Sequence, residues 1–207
     1  MSTRYRAQSG RSSASGCGWL LVLGLAVFVG VRIYAWYGAW SAYRDAESGG
    51  TMKALQEFVE KYPDSDRCAD AAKSGAGLAA EGKFLAEWPD LLRALGRHNC
   101  NAAADALREA LKFPLAEVRV AASGSLLRLS APGDINPKQP VKLSDLDPIV
   151  SQAAMDPEPA VRANLRCVAA LNNRQDLFQN SIEKSPYVLE ADKLCAKGSL
   201  SDLYSTH

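Results

Sequence analysis

The chain has 207 residues, of which 47% are apolar and 23% charged, so its composition is that of a folded protein rather than a disordered one. This length allows one domain of ordinary size and a further segment. Four arginines and no acidic residue stand among positions 1–40, and the other 20 basic residues face 23 acidic ones, a net charge of −3 for positions 41–207. That balance excludes electrostatic attraction of the main domain to nucleic acid.

An uncharged apolar segment follows the N-terminal tail. It runs from Cys17 to Val31, and after one arginine the apolar character resumes as far as position 40. A helix needs roughly 20 residues to cross a bilayer, and aromatic side chains gather at membrane interfaces, as they do near both ends of this segment. We therefore predict a transmembrane signal anchor over residues 17–40, with Trp19, Arg32, Tyr34, Trp36, Tyr37 and Trp40 as its interfacial side chains.

The basic tail predicts the orientation of this anchor. Residues 1–16, which we interpret as a disordered cytoplasmic tail, hold three arginines, whereas Arg44 after the anchor is accompanied by Asp45 and Glu47. The positive-inside rule then places the N-terminus in the cytoplasm and the following domain in the periplasm, or in a lumen or outside a eukaryotic cell. A cleaved signal peptide remains an alternative, because it shares the basic start and the apolar core. A lipoprotein and a buried core helix fit less well.

Residues 42–100 predict helical hairpins. Apolar residues from Met52 to Val59 recur at helical spacing, with Thr51 as N-cap and Pro63 as the stop. A second helix is predicted from about Asp66, and a third reaches Gly96 with a break or a new start near its proline. The Gly75–Gly77 stretch indicates either close helix packing or a helix break.

An internal repeat marks residues 101–207. Segments 107–129 and 150–172 match at an offset of 43 residues, and each predicts a helix, a proline-marked turn and a second helix that opens on Val-Arg. Asp147 and Pro148 predict the N-cap and first residue of a helix. A proline-rich linker, 131–140, separates the copies. The matched pairs include Pro114 with Pro157, Val118 with Val161, and Arg119 with Arg162.

Residues 156–171, DPEPAVRANLRCVAAL, resemble a HEAT repeat, in which an Asp-Pro turn precedes Val-Arg and a helix of small and apolar residues. The resemblance implies an all-α fold, a short HEAT-like α-solenoid behind one N-terminal transmembrane helix, with C-terminal capping helices. Because Phe113 stands where the second copy has Asp156, the resemblance implies an Asp–Arg contact only between Asp156 and Arg162. Residues 51–65 also resemble half of a tetratricopeptide-type hairpin.

Four cysteines follow the anchor: Cys68, Cys100, Cys167 and Cys195. In an oxidising compartment they allow two disulfides with three possible connectivities. The local pairing of Cys68 with Cys100 and of Cys167 with Cys195 would join neighbouring helices. Buried thiols are the alternative, because cysteine is often buried.

No motif in the chain predicts catalysis. His98 lies near Cys100 but lacks the further ligands of a zinc site, and nucleophile-elbow, metalloprotease and phosphate-binding motifs are missing. We expect no enzymatic activity, no cofactor, no metal, no nucleic acid and no small-molecule substrate. The residues favour a membrane-anchored scaffold or adaptor whose partners are the bilayer and another protein. The alternatives are an accessory subunit of a larger membrane complex and, less favoured, an enzyme of unrecognised class.

Overall fold

The computed structural model describes residues 15–131, 140–144 and 146–172, with side chains from Trp19 onward except at position 35. These residues are all-α, as predicted, and hold no strand. Most of the predicted tail and of the proline-rich linker, Cys195 and the predicted capping helices lie outside the described residues. The helices are α1 Ser15–Gly49, α2 Met52–Lys61, α3 Cys68–Ala80, α4 Trp88–Arg97, a 3-10 turn Asn101–Ala103, α5 Ala104–Ala110, α6 Ala116–Ser130, α7 Asp147–Met155 and α8 Pro159–Leu171.

Helix α1 is longer than the predicted anchor. The chain divides into two compact units, Met1–Gly38 and Ala39–His207, and α1 runs through this boundary without a break. The helix therefore continues nine residues beyond position 40, where the predicted anchor ends. Ala39, Tyr43 and Ala46 are buried at helical spacing in the second unit, so the last turns of α1 form part of that unit's core. Gly50, with a φ of +61°, follows the helix end in the left-handed conformation that glycine adopts readily.

The next three helices begin and end close to their predicted positions. The Thr51 side chain accepts a hydrogen bond from the Ala54 N–H at 3.2 Å and caps α2, which ends at Lys61 as expected. Helix α3 begins at Cys68, two residues later than predicted. Helix α4 starts afresh at Trp88, because residues 81–87 form turns rather than a continuation.

The second unit is built in two layers. Helices α2, α4, α6 and α8 pack in succession, and α3 packs on α5 beside them. Helix α6 lies at the centre of the described core and contacts α4, α5 and α8. A Cβ atom on Gly96 would lie 2.7 Å from Ser125 Cα, so α4 and α6 approach closely because Gly96 has no side chain. The Ser125 hydroxyl donates across this contact to the Leu92 carbonyl at 2.7 Å.

The two sequence segments that match at an offset of 43 residues correspond to α5–α6 and α7–α8. Helices α5 and α7 begin 43 residues apart, and so do α6 and α8. Val161, Leu165 and Val168 are fully buried on α8, which confirms their predicted face. The predicted N-cap Asp147 was wrong by one residue, because buried Leu146 caps α7 and its carbonyl accepts the Val150 N–H at 2.8 Å.

Candidate functional site

The first part of α1 exposes apolar side chains on every side. Trp19, Arg32, Tyr34, Trp36 and Tyr37 are exposed and Trp40 is half-buried. The helix Trp19–Gly49 is long and apolar enough to cross a membrane, and its most apolar stretch buries nothing within the chain. The Arg32 guanidinium lies 5.9 Å from the centre of the Phe28 ring. A membrane span has these features, and a signal sequence near an N-terminus shares them.

The two matched segments, 107–129 and 150–172, meet at a buried ion pair. Arg119 Nε lies 2.8 Å from Asp156 Oδ2, and Arg119 Nη2 lies 3.2 Å from Asp156 Oδ1. The side chains are 11% and 3% exposed, respectively. A fork-to-fork contact of this kind fixes the geometry of both groups as well as their charge. Arg119 at the start of α6 is thus joined to Asp156 between α7 and α8.

The matched arginines of the two copies make matching backbone contacts. Arg119 Nη1 donates to the carbonyls of Phe113 and Pro114, at 3.1 and 2.7 Å. Arg162 Nη1 donates to the carbonyls of Asp156 and Pro157, at 2.6 and 3.1 Å. Donor and acceptors are displaced by the same 43 residues in both cases. Each arginine therefore holds the turn that precedes its own helix.

The Asp156 carboxylate is fully engaged in hydrogen bonds. Besides Arg119, it accepts from Gln152 Nε2 at 3.1 Å and from the Glu158 N–H at 2.9 Å. Burial by itself raises the pKa of Asp156, but these hydrogen bonds outweigh burial and hold the pKa below its ordinary value. Gln152 also donates to the Leu111 carbonyl, so it supports the same junction.

Asp156 contacts Arg162, as the resemblance implies, but through its backbone carbonyl rather than its carboxylate. The Asp156 side chain pairs with Arg119 of the preceding copy, whereas Arg162 binds the backbone of the Asp156 turn. The reason is geometric, because α6 packs against α8 and brings the start of α6 to the turn before α8. The junction was missed since its partners lie 37 positions apart. The 43-residue offset could have indicated this junction, because it makes the turn at 113–114, which precedes the helix of Arg119, equivalent to the turn at 156–157.

The cysteines occupy two different situations. Cys68 and Cys100 are buried thiols, and both sulfur atoms lie near the Pro63 carbonyl oxygen, at 3.8 and 3.6 Å. The predicted Cys68–Cys100 pair is therefore brought together but not bonded. Cys167 on α8 is buried and disulfide-bonded. Its predicted partner, Cys195, lies outside the described residues.

Other reactive groups are dispersed. His98 caps the C-terminal end of α4, in the helix-end position that the sequence predicts. Among the described residues no three His, Cys, Asp or Glu side chains are grouped so as to hold a metal ion. A groove of about 200 Å³ lies between the end of α1, α2 and α3, with Glu47, Ser74 and Glu81 in its wall.

Side-chain contacts link three turns and the helix ends beside them, which we call the turn edge and define as residues 81–87, 109–117 and 155–158. The Trp88 backbone N–H donates to the Phe84 carbonyl at 3.2 Å, and the Trp88 ring packs edge-on against Phe113, with centroids 4.7 Å apart. Arg119 then joins the second turn to Asp156 in the third. This surface was not predicted from the sequence, although apolar residues within polar turns could have indicated it.

Comparison with known proteins identifies no relative of this chain. No protein-family model, no curated protein and no solved structure matches the chain. A function can therefore be inferred only from the contacts, burial and charges of the chain itself.

Proposed function

We propose that this chain is a single-pass membrane protein whose HEAT-like repeat domain binds another protein on the non-cytoplasmic side of the membrane. The observation that carries the proposal is the matching pair of arginines, because Arg119 and Arg162 make equivalent contacts 43 residues apart. Repeated contacts of this kind support a repeat architecture. Stacked helical repeats bury a continuous core and present extended surfaces, and proteins of this architecture use those surfaces for binding.

The anchor and its orientation rest on three further observations. The apolar surface of α1 between Trp19 and Gly38 is exposed, which a bilayer would cover. The arginines of the N-terminal tail favour a cytoplasmic N-terminus. The disulfide of Cys167 supports an oxidising compartment for the domain, because disulfides persist there and are rare in the cytosol.

Reporter fusions test this topology directly. A phosphatase that is active only outside the cytoplasm, fused after His207, is expected to be active, and a fluorescent protein that folds only in the cytoplasm is expected to be dark. The opposite pattern would overturn the proposed orientation. N-terminal sequencing of the mature protein separates an uncleaved anchor, which keeps the first residues of the chain, from a cleaved signal peptide. Cleavage at the small-residue site 39–41 would leave a chain that begins after Ser41.

Affinity capture tests the binding function. The full-length chain, cross-linked in its native membrane and purified in mild detergent, is expected to retain at least one other protein. The matched control is residues 1–50 fused to an unrelated soluble domain, which keeps the anchor and removes the repeats. Recovery of the same proteins with both baits, or of none with either, would count against a scaffold role of the repeat domain.

An accessory subunit is the second candidate, with the apolar helix itself as the interface. Gly24 and Gly30 favour it, because a Cβ atom added at either position would meet nothing within 4 Å, which leaves room for another helix to approach. Replacing residues 18–38 with an unrelated apolar helix discriminates between an accessory subunit and an anchored scaffold. Loss of the captured partner would indicate a role for the span, and retention would leave the span as an anchor.

A further inference from the structure

The large apolar side chains that are exposed in the described part of the domain all belong to the turn edge. Among the described residues from Ala39 onward, three large apolar side chains are more than a third exposed: Phe84 at 37%, Leu115 at 44% and Met155 at 74%. Each belongs to a different turn of the turn edge. A single exposed apolar residue is ordinary on a protein surface, whereas exposed large apolar residues on three linked turns are a feature typical of interaction sites.

The turns that carry these residues are held in place before any partner binds. The first turn is tied to the second through Trp88 and Phe113, and the second to the third through Arg119. Phe84 adopts a φ of +54°, a conformation that costs energy for a bulky residue and that persists where the surroundings maintain it. A preformed surface loses little conformational entropy on binding, which favours affinity.

Charges on the turn edge decide what chemistry would fit it. Glu81 pairs with Lys83 and Glu109 pairs with Lys112, each at 2.8 Å, so these groups neutralise one another. Three other carboxylates form no ion pair among the described residues: Glu87 and Glu117, which are exposed, and Glu158, which is half-buried. The guanidinium of Arg162, bound to the third turn, offsets one of them. The turn edge therefore combines three exposed apolar side chains with a net negative charge.

We propose that the turn edge holds the protein partner, and that the partner contributes a basic amphipathic segment, with apolar side chains against Phe84, Leu115 and Met155 and Lys or Arg beside the three carboxylates. This inference rests on the proposed function and assigns it a surface. Charge complementarity of this type speeds association and selects partners. The same negative charge disfavours an anionic lipid surface as the occupant, because that surface attracts basic residues.

Site-specific cross-linking in the native membrane tests the surface. A photoactivatable amino acid is placed at position 84, 115 or 155 of the full-length chain, with positions 57 and 73, exposed on α2 and α3, as controls. All three turn-edge positions are expected to cross-link to one protein, and mass spectrometry is expected to map the adducts to a segment rich in Lys, Arg and apolar residues. The control positions are expected to give no such adduct.

Affinity measurement with the captured protein adds a second arm. The double variant E87K/E117K and the triple variant F84S/L115S/M155S are each expected to weaken binding about tenfold or more, because charge complementarity or the apolar centre is lost. Glu57→Lys is the matched control, since it reverses one exposed carboxylate on α2. Unchanged far-UV circular dichroism shows that each variant folds.

Several outcomes would overturn the inference. Adducts at the turn edge no stronger than at the controls, adducts with lipid or with a second copy of the chain, or a mapped segment without basic residues would each do so. Capture of a partner that binds the turn-edge variants as tightly as the unmodified chain would also overturn it, while leaving the proposed function intact. Failure of the proposed function is distinct, because no partner would then be captured by the unmodified chain.

Discussion

Arg119 and Asp156 lie 37 positions apart in the chain, yet their side chains form two N–H···O contacts, at 2.8 and 3.2 Å, within the protein interior. The same guanidinium also holds the turn that precedes its own helix. One side chain therefore stabilises a turn within the first copy of the repeat and the junction with the second.

Removal of this guanidinium is expected to be costly. Arg119→Met leaves the Asp156 carboxylate buried without its cation, a change that typically lowers the free energy of unfolding by about 3–5 kcal/mol. Urea unfolding of the full-length protein in detergent, followed by circular dichroism, measures the loss. The control is Arg93→Met, whose partner Asp90 lies at the same 2.8 Å but on the surface, and it should cost at most about 1 kcal/mol. Equal losses in the two variants would contradict the prediction.

The stability of the domain is expected to depend on pH through Asp156. Its pKa is lowered in the folded state from an ordinary value of about 3.9, so the folded protein binds this proton less readily than the unfolded chain. The resulting stabilisation is complete above that ordinary value and is lost as the pH falls through the lower folded pKa. The difference in unfolding free energy between the unmodified chain and Asp156→Asn should therefore shrink in acid. A difference that is independent of pH would show that Asp156 does not titrate in this way.

Two glycines are expected to respond in opposite directions to alanine. Gly96→Ala places a Cβ 2.7 Å from the Ser125 backbone, so α4 and α6 must separate, at a cost of about 1–3 kcal/mol or more. Gly77→Ala on α3 meets nothing within 4 Å and should stabilise by about 0.5–1 kcal/mol, because alanine favours helix. The urea midpoints of the two variants, each compared with that of the unmodified chain, measure these changes in stability. A Gly96→Ala variant as stable as the unmodified chain would show that the helices are not in close contact.

The cysteines are expected to differ in reactivity. Cys68 and Cys100 are buried, so a maleimide should leave them unmodified in the native protein and should modify both in urea without reductant. Cys167 is disulfide-bonded and should require a reductant as well. Peptide mapping by mass spectrometry assigns each modification. Reaction of Cys68 in the native state, or of Cys167 without reductant, would contradict the structure.

Local features of the fold were predictable from the sequence because short-range chemistry determines them. The Thr51 cap, the end of α2 before Pro63 and the buried face of α8 all depend on residues within a few positions of one another. The 43-residue offset likewise predicted that Arg119 and Arg162 occupy equivalent positions in their helices.

Features that depend on packing were not predictable in the same way. The partner of Asp156 depends on how α6 lies against α8, and the continuation of α1 past Trp40 depends on the burial of Tyr43 in the second unit. Neither is encoded in spacing along one helix. The turn edge was missed for the same reason, because turns far apart in the chain become neighbours only when the layers stack.

The buried face of α6 also affects whether this helix packs on its neighbours in a single register. Ala121, Ala122, Ser123 and Gly124 are small and buried, so they permit close approach but offer little resistance to sliding of one helix along another. A shift by one turn would separate Arg119 from Asp156 inside the protein, which penalises every register but one. In the NMR spectrum of Arg119→Met we therefore expect a second set of amide resonances for these four residues before the helix content falls. A single set would show that the small side chains alone select the register.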